Sequence, residues 1–189
     1  MTSLPGWLAS TVAADASGGA GVLGEGIRAL SPERTVAGPA LVVEVSLNDN
    51  LAMKEVPAAV PGPGTVLVVA GGADSRTAVL GDLVARELLA AGVVAVVTDG
   101  PIRDSQAVAE LGLAVWAKGT TPVASAKNGP GRVGGSVEIA GVTVNDGDVV
   151  IADADGVVVW PAADVESLVA RAQAKQQADE ERLAALTSR

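Results

Sequence analysis

The sequence predicts an α/β fold: a mixed central sheet, flanking helices and a long C-terminal helix. Three observations carry that expectation. Thr65–Ala70 and Val93–Val97 are unbroken apolar, β-branched runs, as in parallel strands buried on both faces. Between them lies a stretch with apolar residues at helical spacing, closed by Gly92. From Gly134 onward the pattern becomes short alternating runs split by tight turns, which reads as antiparallel or mixed β.

Taken in order, residues 7–16 (WLASTVAADA) read as a short helix, and Gly18–Gly26 as a flexible or tightly turned loop. Thr35–Val45 is a strand. Asn48-Asp49-Asn50 forms a turn and N-cap ahead of a short helix over Leu51–Val56. Pro57–Gly64 is a turn leading into the strand Thr65–Ala70. Gly71–Ser75 connects to a helix from about Ala78 to Ala91, with Leu80, Leu83, Val84 and Leu88 on its apolar side. After the strand Val93–Val97 and a loop at 98–103, Asp104 or Ser105 caps a helix running to about Leu111. Leu113–Ala117 is a further strand, and Lys118–Val133 is loop-like. Ser136–Ile139 and Val142–Val144 pair across Ala140-Gly141, and Val149–Ile151 pairs with Val157–Trp160 across Asp153–Gly156. Pro161 opens a helix over about 162–186 whose apolar start (Val165, Leu168, Val169) gives way to the polar run Gln173–Arg182. A helix that loses its apolar stripe leaves the body of its domain, here towards a neighbouring subunit. With 189 residues, no internal repeat and no linker, the expectation is a single domain over 1–189 with a peripheral segment at 1–34.

Composition removes whole classes of chemistry. The chain has no Cys, His, Tyr or Phe, which excludes thiol and Ser–His nucleophiles, disulfides, and imidazole or thiolate metal sites. Any metal must be held by oxygen ligands, the preference of Mg²⁺ or Mn²⁺. A net charge of −9 argues against nucleic acid as a partner, and the three Trp are too sparse for base stacking. No apolar run spans a bilayer, Met1–Ser10 has no secretion-signal pattern, and the absence of Cys fits a reducing, cytoplasmic setting.

The stretch 81–104, GDLVARELLAAGVVAVVTDGPIRD, concentrates the chemistry. Loops after parallel strands carry the sites of open α/β sheets. The first amides of a helix point outward unpaired and attract anions. Asp82 at a helix start, with Arg103 and Asp104 after the next strand, would bring two carboxylates and a guanidinium to one sheet edge. Each also has a plain structural reading: Asp82 as a first-turn acid paired with Arg86, and Asp104 as a helix cap.

Several segments follow one another in the order seen in the RraA-like family. They are Ala37–Ala40, Asp49–Leu51, Leu80–Leu83, Val97–Gly100, Ile102–Asp104, Lys118–Pro122 and Ala152–Val157, and the resemblance covers roughly residues 35–160. The family includes 4-hydroxy-4-methyl-2-oxoglutarate aldolases, which also decarboxylate oxaloacetate, and the RraA inhibitors of ribonuclease E. The aldolase branch is marked by an Asp, twenty intervening residues and then Arg-Asp, the spacing of Asp82 and Arg103-Asp104. A methyltransferase label used for some members has little support, because no glycine-rich cofactor loop is followed by a ribose-binding acid.

The resemblance implies a β/β/α swivelling domain assembled as a homotrimer or hexamer. It implies that Asp104 anchors Mg²⁺ or Mn²⁺ and that Arg103 holds the carboxylate and keto oxygen of a pyruvyl group. It places the same carboxylate on the helix start, at Gly81 and the amides of Leu83 and Val84, and gives Asp82 a metal-bound water that shuttles the proton. A glutamate from the neighbouring subunit's C-terminal segment would join the metal, with Glu180 the first candidate beside Asp179 and Glu181. Both reactions pass through pyruvate enolate, whose charge a cation and an arginine stabilise. This chain departs from many relatives in having Ser105-Gln106-Ala107 where they carry acidic residues. The other function that the resemblance implies is a non-catalytic regulator like the ribonuclease inhibitor.

Overall fold

The computed structural model describes residues 4–24, 26–30 and 33–187. In chain order the first elements are α1 (Ser10–Ser17), β1 (Arg28–Ala29), β2 (Val36–Glu44), α2 (Val56–Ala59) and β3 (Thr65–Ala70). Next come α3 (Asp82–Ala91), β4 (Val93–Thr98), β5 (Pro101–Ile102), α4 (Ser105–Glu110), β6 (Ala114–Ala117) and β7 (Gly119–Thr120). The last are β8 (Arg132–Val133), β9 (Ser136–Ile139), β10 (Val142–Asn145), β11 (Val149–Ala152), β12 (Val157–Trp160) and α5 (Val165–Thr187).

The main sheet has the order β1-β6-β4-β3-β2-β11-β12. Its centre, β6-β4-β3-β2, is parallel, and the outer strands are antiparallel. One edge of β2 pairs with β3. The other edge is shared, with Val36–Pro39 on β11 and Val43–Glu44 on β8. The apolar runs are continuous because both faces are covered. Leu41, Val43, Leu67, Val69 and Val96 face a layer containing Ala85, Leu88 and Val108 of α3 and α4. The alternate residues Val42, Val66, Val68, Ala95 and Val97 face Val137, Ile139 and Val144 of the β9–β10 hairpin. A third cluster joins α1 and α5 to β11 and β12 through Leu8, Ala13, Ile151, Trp160, Leu168 and Ala172. This helix–sheet–hairpin layering is the mixed α/β architecture with a long C-terminal helix that the sequence predicts. No helix among the described residues is long and apolar enough to cross a membrane.

The differences in detail are local. The helix expected from Ala78 begins at Asp82. Residues 78–80 are not helical, because Ala78 N donates to Val123 O (2.9 Å), Val79 N to Pro101 O (2.9 Å) and Arg103 N to Leu80 O (3.0 Å). Leu83, expected inward, is 67% exposed, and Ala85 is buried in its place. Pro57 sits in the first turn of α2 rather than in a turn before β3. The loop-like stretch 118–133 contains the short strands β7 and β8. The glycine-rich segment after α1 packs against β12 and the hairpin: a Cβ on Gly21 would lie 2.0 Å from Val159 O, and one on Gly24 2.9 Å from Ala140 O. Glu25 in that segment, and Met1–Ser3 of the N-terminal stretch, fall outside the described residues.

Candidate active site at the carboxyl ends of the parallel strands

Three loops meet where β3, β4 and β6 end. Asp99, just past β4, ties the first two together. Its carboxylate accepts the amides of Gly72 (2.8 Å) and Gly71 (3.3 Å). Burial pushes the Asp99 carboxyl above its ordinary value, against the opposing pull of those amides and of the Lys118 ammonium. Gly72 and Gly100 touch backbone to backbone; a Cβ on Gly72 would sit 2.8 Å from Gly100 Cα. Lys118 Nζ donates to Ala73 O at 2.8 Å, which closes the third loop over the first.

This frame delivers residues 81, 82, 103 and 104 to one place. A Cβ on Gly81 would lie 2.6 Å from Asp104 Oδ2 and 2.9 Å from Arg103 Nε. Gly81 has φ −138° and ψ −168°, so close approach, and not backbone freedom, is what demands glycine there. Asp82 N donates to Asp104 Oδ2 at 3.3 Å, and Arg103 Nε lies 3.4 Å from the same oxygen. Asp104 holds a left-handed backbone (φ 54°) ahead of α4 without capping it through its side chain. A residue in that conformation costs free energy and is over-represented where a side chain must be aimed. The first i to i−4 bond of α3 runs from Ala85 N to Gly81 O (3.0 Å), so the amides of Leu83 and Val84 precede the ladder.

Arg103 and Asp104 border a cavity of about 630 Å³, walled by α4 (Ser105, Gln106, Glu110) and by Thr120 and Thr121. Asp82 adjoins the cluster through its amide but is not among the cavity's lining residues. Its carboxylate leans towards Arg86, 4.0 Å away, the i,i+4 partner that the spacing anticipates. Glu180 is exposed on α5, and its Oε1 accepts from Gln176 at 3.0 Å. Beyond Ala172 none of the described side chains of α5 is buried. A larger cavity of about 910 Å³ lies at the opposite end of the sheet, near Pro39 and Gly64. It is mostly apolar, and Glu166 is its one ionisable lining residue, so it offers an anionic substrate no cationic side chain.

The family-matching segments divide into site and scaffold. Asp49 is scaffold: its carboxylate accepts the amides of Asn128 (2.7 Å), Gly129 (2.9 Å) and Leu51 (2.8 Å). The Asn128 and Leu51 bonds lead in holding it below the ordinary carboxylate range. Asp153 is scaffold too, accepting from Ser10 (2.6 and 2.7 Å) and from Asp155 N (3.0 Å) in the turn expected of it. Asn50, read from sequence as part of a cap, instead sends Nδ2 to Val79 O (2.9 Å), bracing the segment that leads into Gly81. Its Oδ1 is buried without a hydrogen-bond partner. Neither this role nor that of Asp99 follows from local pattern. The signal that marks both is their place in family-matching segments, Asp49–Leu51 and Val97–Gly100.

Known proteins fit this picture. The RraA-like family profile, described as Aldolase/RraA, matches residues 10–159. A protein of Halalkalibacterium halodurans with the provisional name 4-hydroxy-4-methyl-2-oxoglutarate aldolase is 35% identical over 178 residues, covering 94% of this chain and 84% of that protein. The structure of Streptomyces coelicolor RraAS2, an unusual member of the RNase ES inhibitor RraA family, superposes with a TM-score of 0.83 at 32% identity, covering 93% of this chain and 92% of the other. The RNA-processing inhibitor RraA of Thermus thermophilis gives a TM-score of 0.73 at 30% identity, over 82% and 93% of the two chains. By profile, identity and fold together, this chain belongs to the RraA-like family.

Proposed function

We propose that this chain is a divalent-metal-dependent carbon–carbon lyase that releases pyruvate from short 2-oxo dicarboxylates. The two reactions are retro-aldol cleavage of 4-hydroxy-4-methyl-2-oxoglutarate and decarboxylation of oxaloacetate. The observation that carries this reading is the approach of Gly81 to Arg103 and Asp104. It sets a guanidinium, a carboxylate and the first amides of α3 around one point. The aldolase name of the Halalkalibacterium halodurans relative points the same way.

The donor set suits a hard cation. Among the described residues no three acidic groups converge, so one chain offers one or two carboxylates. Mg²⁺ is commonly held in that way, with water and substrate oxygens filling its remaining positions. In this reading Asp104 holds Mg²⁺ or Mn²⁺, and Glu180 of a neighbouring subunit in a trimer or hexamer adds a second carboxylate. When bound, the ion supplies Lewis-acid stabilisation of developing enolate charge. Arg103 binds the substrate carboxylate and keto oxygen through its planar fork. Gly81 leaves room for Arg103 and Asp104 to lie against the start of α3, where the amides of Leu83 and Val84 take that carboxylate. Asp82, partly exposed, orients the water that takes up and returns the proton.

The test is pyruvate release from oxaloacetate and from 4-hydroxy-4-methyl-2-oxoglutarate, coupled to lactate dehydrogenase. Turnover should vanish with EDTA, return with Mg²⁺ or Mn²⁺, and fall at least about a hundredfold in Asp104→Ala. Turnover indifferent to EDTA removes the metal from the reading, and no turnover on either acid removes the lyase. The likeness to the Thermus RNA-processing inhibitor and to an unusual Streptomyces member of the RraA inhibitor family favours a second reading, a non-catalytic regulator. That reading requires inhibition of a ribonuclease by a protein with no 2-oxo acid turnover.

A further inference from the structure

The segment Gly71-Gly72-Ala73 is gripped by opposite charges from two neighbouring loops. Each oxygen of the Asp99 carboxylate takes one amide: Oδ1 that of Gly72 at 2.8 Å, Oδ2 that of Gly71 at 3.3 Å. The carbonyl of Ala73 accepts from Lys118 Nζ at 2.8 Å, and Lys118 N donates to Gly100 O at 3.3 Å. The segment has no slack, since a Cβ on Gly71 would stand 2.2 Å from Val45 O and one on Gly72 2.8 Å from Gly100 Cα. Val79 Cγ1 packs on both sides of that contact, 3.1 Å from the Cβ position of Gly72 and 2.8 Å from that of Gly100. Val79 N in turn donates to Pro101 O at 2.9 Å. Val79 stands two residues before Gly81, and Pro101 two before Arg103. The two segments that carry the candidate site are therefore bonded to each other over the grip of Asp99.

An ionised carboxylate is what this geometry demands. It accepts at both oxygens, whereas an amide side chain of the same shape has one acceptor and turns its NH₂ on the other N–H. Burial works against that charge, because Asp99 is only 9% exposed. A charge that the fold keeps against its own stability, beside a candidate site, points to a task in that site. Resting on the lyase reading above, we infer that Asp99 and Lys118 are positioning residues: their charges hold the Gly71–Ala73 segment, and through Val79 and Pro101 they fix where Gly81 meets Arg103 and Asp104. Neither lines the cavity beside Arg103, so both act through the backbone they hold.

The experiment measures kcat and KM for pyruvate release from oxaloacetate with Mg²⁺ at neutral pH, beside urea unfolding. It compares the whole native protein with Asp99→Asn, Lys118→Met, Lys118→Arg and the double variant Asp99→Asn/Lys118→Met. Asp99→Asn removes one amide acceptor and one buried charge, which act in opposite directions on stability, so the unfolding midpoint should stay near native. Its kcat should fall at least about tenfold, the scale of a sub-ångström displacement of reacting groups, with KM changing less. Lys118→Met should lower kcat in the same way, and Lys118→Arg, which keeps a donor and the charge, should hold the native value. Because both charges act on one segment, the double variant should lose less than the product of the single losses, by about threefold or more. Native kcat in an Asp99→Asn protein of native midpoint overturns the inference. So do single losses that simply multiply, or a Lys118→Arg protein as slow as Lys118→Met. Should Asp99→Asn fail to fold, the two Lys118 variants decide. An active native protein with unaffected variants ends the inference and leaves the lyase reading standing, whereas no pyruvate from the native protein ends both.

Discussion

Gly81→Ala is the sharpest probe of the cluster. The added methyl would stand 2.6 Å from Asp104 Oδ2, 2.9 Å from Arg103 Nε and 3.0 Å from Arg103 Cγ. Ordinary contact begins near 3.4 Å, so one partner must move by about 0.8 Å. Alanine adopts the extended backbone of Gly81 without strain, and the methyl meets side chains, not backbone. Arg103 and Asp104 are 38% and 41% exposed, so they can swing outward. Breaking so open an ion pair costs about 0–1 kcal/mol. Replacing glycine at a compatible position returns about 0.4–1 kcal/mol through the unfolded chain. Stability should therefore stay within about 1 kcal/mol of native. Activity should not, because displacing reacting groups by about 1 Å costs on the order of a hundredfold. Pyruvate release from oxaloacetate under saturating Mg²⁺, read beside a urea unfolding curve, separates the two effects. Native kcat/KM in a protein of native stability would refute the claim that activity depends on how 103 and 104 sit against the start of α3.

Other substitutions test neighbouring parts of the argument. Arg103→Lys keeps the charge but loses the two-pronged donor, so kcat/KM should fall at least about tenfold while the unfolding midpoint holds. Asn50→Ala strips the Val79 carbonyl of its buried donor and should cost about 1–3 kcal/mol in urea unfolding, with activity reduced because residues 79–81 lose their brace. Asp99 gives a pH signature. Its carboxyl is raised in the folded state above the ordinary 3.8, so the protonated form favours folding. That contribution is complete below 3.8 and is lost as pH rises through the raised value. Across this window the melting temperature of the native protein, measured against that of Asp99→Asn, should decline with rising pH. A difference flat across the window would show that burial does not set the titration of Asp99.

The elements were largely legible because burial leaves a local trace. Unbroken β-branched runs mark β3 and β4, alternation marks β9 and β10, and the glycine at 92 takes the left-handed conformation (φ 101°) that ends α3. The spacing of Asp82 from Arg103-Asp104 picked out the polar residues that later proved neighbours, although the cavity itself takes in only the latter two. Periodicity failed where backbone groups are spent on distant partners. Residues 78–80 were expected in the helix yet stay outside it, because Val123, Pro101 and Arg103 claim their hydrogen bonds first.

Residue type and order thus determined which strands and helices exist and which side chains were available for chemistry, since hydrophobic period and functional groups are properties of the chain itself. Only folding decided that Gly81 touches Arg103 and Asp104, and that Asp99 joins two loops through Gly71 and Gly72. Those relations join residues from separate elements, and close packing across a sheet edge, with no repeat in the sequence to announce it, is what brings them within a few ångströms.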